Sequence, residues 1–125
     1  VLERVRDQLA DLRQRNGVVV FSDAMNAYHA EIEHAIAEGP RLLDEPQGTL
    51  KLMGRVGTLE YLAARLRTQA PAVLQADADF AAAQRAVADS VAALRAAVLA
   101  GDRAAIDRAL AALKGPYGRM FLRFG

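Results

Sequence analysis

The stretch VVVFSDAMNAYHAEIEHA, residues 18–35, decides the fold class. Its first four residues, three of them β-branched, would suit a strand. Val18 and Phe21, however, fall in step with Met25, Tyr28, Ile32 and Ala35, alternating steps of three and four that belong to one face of an α-helix. The spacing predicts about five turns of helix with a single apolar stripe.

The same period extends in both directions. Upstream, Leu2, Val5, Leu9 and Leu12 make a first seam that reaches RNG at residues 15–17. There Gly17 is expected to supply a left-handed C-terminal cap, unless the two seams belong to one continuous helix. Downstream, EGPRLLDEPQGT at 38–49 holds two prolines and two glycines and predicts a loop, with Thr49 as the next N-cap. Leu52, Val56, Leu59, Ala63 and Leu66 form a third seam, inside which Gly54 and Gly57 are expected to admit a neighbouring helix closely or to mark a break. TQAPAV at 68–73 ends it at Pro71. Phe80, Ala83, Val87, Val91, Leu94 and Val98 follow, closed by Gly101 as C-cap, with Asp102 as N-cap of the next helix.

The last stripe, Ile106, Leu110, Leu113, Tyr117, Met120 and Phe124, passes Gly115 and Pro116 without losing register. A helix that kinks there, or restarts with Pro116 in its first turn, would behave so. The expected fold is all-α: an antiparallel up-down four-helix bundle, one domain across residues 1–125, its last helix kinked or interrupted near Gly115 and Pro116.

Composition narrows the function. At 125 residues, 53% hydrophobic and net charge +1, the chain has core enough for one domain and no global field to draw in nucleic acid. Without cysteine it has no disulfide, thiolate metal site or thiol nucleophile. No apolar run, GVVVF at 17–21 included, approaches the roughly 20 residues of a membrane span. The first residue is Val1 and not methionine, so a leader or another upstream segment is expected to be missing, a removed signal peptide being one explanation.

The candidate chemistry is sparse. Met25 and His29, four apart, share a helix face and offer a thioether and an imidazole to a soft, copper-like metal, whereas His34 lies about 140° round the helix from His29. Glu31 and His34 make one Glu-x-x-His unit, but a di-metal carboxylate bundle needs two. No Gly-rich phosphate loop follows a strand, and neither Ser22 nor Ser90 sits in a nucleophile elbow. The closing KGPYGRMFLRFG, if solvated, presents Tyr117, Arg119, Phe121 and Arg123 as a partner-binding surface.

Taken whole, the chain resembles the cytochrome c-prime and c556 group in its helix order, in EPQGTL at 45–50 before the third helix, and in AGDRAAIDRALAALK at 100–114 leading into the last. The resemblance implies an exported, periplasmic four-helix bundle, for which homodimerisation through one helix pair is a fitting assembly. Where that family carries C-x-x-C-H, this chain reads Gly115-Pro116-Tyr117-Gly118-Arg119, followed by Phe121 and Arg123. No covalent haem, and no cofactor, is expected. Non-covalent haem held by His29 or His34 with Met120 is the variant of the metal reading. LERVRDQLADLRQR at 2–15 is similar to the first helix of helical chorismate mutases, without the later polar pattern that their pocket needs. The expected function is a non-catalytic bundle that binds a partner or small ligand.

Overall fold

A computed structural model describes residues 2–125 and, along the first turns, the side chains of Arg4, Val5, Gln8, Leu9 and Leu12 and those from Arg15 onward. The described chain is all-helical, without strands. Helix α1 spans Leu2–Leu43, α2 Gly48–Thr68, the single turn α3 Ala72–Gln75, α4 Ala78–Ala100, α5 Arg103–Ala111 and α6 Lys114–Phe124. Helix α2 lies against α1 and α4, and α5 and α6 lie against α4 and also touch α1. Among the described residues, no helix is long and apolar enough to cross a membrane.

From Phe21 onward the stripes read from the sequence form the core, with Ala83 only partly buried against it. Phe21, Met25, Tyr28, Ile32 and Ala35 of α1 are buried, as are Leu52, Val56, Leu59, Ala63 and Leu66 of α2 and Phe80, Val87, Val91, Leu94 and Val98 of α4. Ile106, Leu110, Leu113, Tyr117 and Met120 close the core, while Phe124 is half-buried against it. Each large side chain so removed from water contributes roughly 1.5–3 kcal/mol.

Helix α1, however, runs unbroken for 42 residues. Gly17 is no cap: among the described residues only Gln47 and Gly101 have positive φ. A single glycine costs a helix about 1 kcal/mol, which does not by itself end it. At about 1.5 Å per residue α1 is about 63 Å long, twice the length of α2 or α4, so its first half projects beyond the core. Val5, Leu9, Leu12, Val18 and Val19 are each close to half exposed there. Leu2 of the expected seam lies outside the described side chains.

The loop after α1 is shorter than expected. Pro40 sits inside the last turns of α1, and the chain leaves the helix only over Asp44–Gln47. A proline this close to a helix end forfeits one backbone bond and leaves few turns to disrupt. The Arg103 guanidinium reaches back from α5 to the Pro40 carbonyl (3.4 Å) and to Asp44 (3.3 Å). Thr49 is not the N-cap of α2. Gln47 is, in the left-handed region at φ 58°, and Gly48 opens the helix. A Cβ at Gly48 would stand 1.9 Å from the Leu42 carbonyl oxygen, so only glycine permits the turn.

Gly54 and Gly57 do not admit a neighbour either. They are exposed on an unbroken α2, with nothing within 4 Å of an added Cβ. The close approach is at Gly39, where a Cβ would meet a Leu110 methyl at 2.8 Å. The later caps follow the sequence: Gly101 is left-handed at φ 67°, and the Asp102 carboxylate accepts from the Ala105 N–H. Asp77 is a further cap, accepting from the Asp79 and Phe80 N–H groups at 2.8 and 3.1 Å. Helix α5 stops at Ala111, and α6 restarts at Lys114 with Pro116 in its first turn, where a missing N–H is tolerated.

Candidate functional site: an apolar cleft at the end of the core

The structure sends the two proposed metal-binding residues into different surroundings. Met25 is buried, its carbonyl accepting from the Tyr117 hydroxyl at 3.3 Å. The His29 ring lies in water, stacked on Tyr117 with centroids 5.3 Å apart, its Nε2 3.3 Å from Glu33. The same Glu33 oxygen meets the Lys114 ammonium at 3.0 Å, and hydrogen bonding to Lys114 holds this carboxyl below its ordinary range, His29 adding a smaller pull. His34 is exposed, and Met120 is fully buried in the core. Among the described residues no group of three or more His, Asp or Glu side chains is placed to hold a metal ion.

Of the four surface candidates in the last helix, Tyr117 belongs to the core at 7% exposed. The apolar stripe continues through the restart at Lys114, and that turns Tyr117 inward. Arg119, Phe121 and Arg123 remain exposed. Arg123 is committed to Asp79 at 2.6 Å and lies over the Phe124 ring.

Phe121 borders something larger. Between α1, the single turn α3 and α6 lies a cleft of about 710 Å³. Its floor is aromatic: Phe21 meets Phe80 edge-on at 5.9 Å, and Phe80 meets Phe124 at 5.4 Å and 85°. Such edge-to-face contacts favour a fixed arrangement over a fluid one. Phe21, Met25 and Phe124 line the cleft, and Val18, Val73 and Phe121 form its exposed edges. Ser22 and Asn26, one turn apart on α1, add a hydroxyl and an amide to its wall. Pro71 starts α3, and Gln75 anchors the turn by donating to the Ala70 carbonyl at 2.8 Å, which fixes Val73 and Leu74 opposite α1. No lining side chain titrates near neutral pH, so the cleft offers shape, apolar area and two neutral polar groups, with no acid–base pair and no nucleophile beyond an unactivated serine.

A second groove, about 770 Å³, runs between α2 and α4 over Ala63, Ala88 and Val91. Its rims carry Arg67, Arg85 and Glu60, the last paired with Arg95 at 2.8 Å. Its lining is more polar than that of the cleft.

Sequence reasoning missed the cleft. Its walls come from residues 17–26, 71–74 and 121–125, and TQAPAV read only as punctuation. The available signal was apolar surplus: Val73 and Phe121 belong to no core stripe. Comparison with family models, with curated proteins and with solved structures finds no match to this chain.

Proposed function

We propose that this protein is a non-catalytic binding protein that takes a small apolar or amphiphilic molecule in the cleft between α1, α3 and α6. The carrying observation is the cleft itself: about 710 Å³, apolar and aromatic in its lining, with Ser22 and Asn26 as its polar groups. Small-molecule sites have volumes of about 300–1,000 Å³, mostly apolar walls and a few placed polar groups. The proposal extends to the architecture, an antiparallel up-down four-helix bundle of cytochrome c-prime shape without covalent haem, its last helix interrupted before Gly115. What supports it is the neighbour relation of the helices and the register of their stripes. Export to the periplasm is part of the same proposal and rests on the resemblance alone.

Titration with the environment-sensitive dye anilinonaphthalene sulfonate tests the binding reading. Val73 and Phe121 are cleft edges outside the core, so Val73→Asp and Phe121→Asp are expected to leave the melting transition in place and to weaken dye binding at least roughly tenfold, because each sets a charge against an apolar ligand. Unchanged binding in both variants overturns the proposal.

A further inference from the structure

The projecting half of α1 carries an apolar stripe that the core does not use. Val5, Leu9, Leu12 and Val19 are exposed along it. With Leu2 and Asn16 they fall in steps of three and four that write a heptad repeat, Leu2, Leu9 and Asn16 at a, Val5, Leu12 and Val19 at d. At 100° per residue this stripe points about 160° away from the core face of Phe21, Met25, Tyr28 and Ile32 on the same helix. The apolar face therefore changes sides between Asn16 and Phe21. The next a and d positions, Asp23 and Asn26, are exposed and polar, so the stripe ends where the core begins.

We propose that this half of α1 pairs, parallel and in register, with the same segment of a second copy as a two-stranded coiled coil. Three observations select that occupant. The first is clearance: because the core lies on the far side of α1 from the stripe, two copies meet along their projecting halves with their bundles on the outside. The second is Asn16, which at a single a position specifies register and strand number by meeting its own copy across the seam. In an antiparallel pair centred on the stripe it would face Val5, with no amide partner. The third is charge. The sequence places Arg6 and Arg13 at e and Gln8 and Arg15 at g. In the parallel register these positions face each other as Gln8 with Arg13 and Arg15 with Val20, whereas the antiparallel register opposes Arg6 to Arg13. Leucine at a with β-branched valine at d is by itself a pattern of larger assemblies, and what selects two strands here is Asn16 at a together with the arginines at e and g, which confine the apolar strip to the two positions that a dimer uses.

Sedimentation equilibrium on the full chain over roughly 1 μM to 1 mM tests the pairing. The expected result is a concentration-dependent dimer that Leu9→Asp with Leu12→Asp abolishes, while Val18→Asp, on the other side of the helix, keeps it. Circular dichroism should show the melting transition of the core unchanged in all of these, because none of the substituted side chains belongs to the core. The chain has no cysteine, so Val5→Cys gives a clean test of orientation: two thiols at one d level of a parallel pair should oxidise to a covalent dimer. A monomer throughout the range, an assembly larger than two, a dimer that survives the double substitution or is lost equally in Val18→Asp, or failure of Val5→Cys to cross-link each overturns the proposal. A monomer would leave the stripe to a different partner.

Discussion

At Gly48 a Cβ would stand 1.9 Å from the Leu42 carbonyl oxygen, and backbone cannot give way as a side-chain tip can. Gly48→Ala is expected to destabilise the fold by about 2–4 kcal/mol, read as a lowered midpoint in urea unfolding. Gly54→Ala and Gly57→Ala should do the opposite, each stabilising by about 0.5–1 kcal/mol, since the added methyl meets nothing and the unfolded chain loses freedom. Three glycines within ten residues of sequence thus carry opposite expectations. Tyr28 supplies another test. Its phenol is wholly buried and, among the described residues, no hydrogen-bond partner meets it: Ser90 is near enough to favour the ionised form, but its hydroxyl donates to the Val87 carbonyl at 2.6 Å. Burial pushes this phenol well above the ordinary tyrosine value near 10. The folded state then holds its proton where the unfolded state has lost it, so its contribution is complete below pH about 10 and is lost as pH rises above that value. Tyr28→Phe should match or exceed the parent in stability at neutral pH, by at most about 1 kcal/mol, and flatten the alkaline arm of a pH–melting profile.

Among the helices, α6 carries the clearest expectation. Tyr117 and Met120 are buried and Phe124 is packed against the core, each worth roughly 1.5–3 kcal/mol, while a typical domain has about 5–15 kcal/mol in total. A chain ending at Lys114 should lose its cooperative melting transition by circular dichroism, whereas Arg119→Ala and Arg123→Ala, on the exposed face, should each move stability by less than about 1 kcal/mol. The first turn of α6 is also tied to α1 through Lys114 and Glu33. Because the folded pKa of Glu33 is lowered from 4.5, chiefly by that hydrogen bond, the tie contributes above the unfolded value and is lost as pH falls through the folded one. Carboxyl NMR of Lys114→Ala should show Glu33 titrating closer to 4.5. At this scale the sequence was a good guide to which residues are buried and a poor one to where helices stop. Stripes repeat over many residues and survive local irregularity. Gly17, Pro40, Gly54 and Gly57 are signals of single residues, and what decides a break is the neighbouring backbone, as the Leu42 carbonyl does at Gly48.

Across the whole molecule, legibility falls with sequence separation. Each helix declares its own inner face, but the cleft is assembled from three segments as far apart as Val18 and Phe124, and no single segment announces it. Met25 and His29 show the complementary case. They are four residues apart on one helix, yet the boundary between core and water runs between them. The length of α1 has a further consequence for the particle as a scattering object. A compact chain of 125 residues has a radius of gyration of about 14 Å, whereas α1 alone spans about 63 Å. Small-angle X-ray scattering should therefore return a radius clearly above the compact value and a pair-distance distribution with one main peak and a long, thin shoulder reaching at least roughly 60 Å. If copies pair along α1, the curve at high concentration should gain a second peak at the spacing between two centres of mass, and the rod between them would set that spacing.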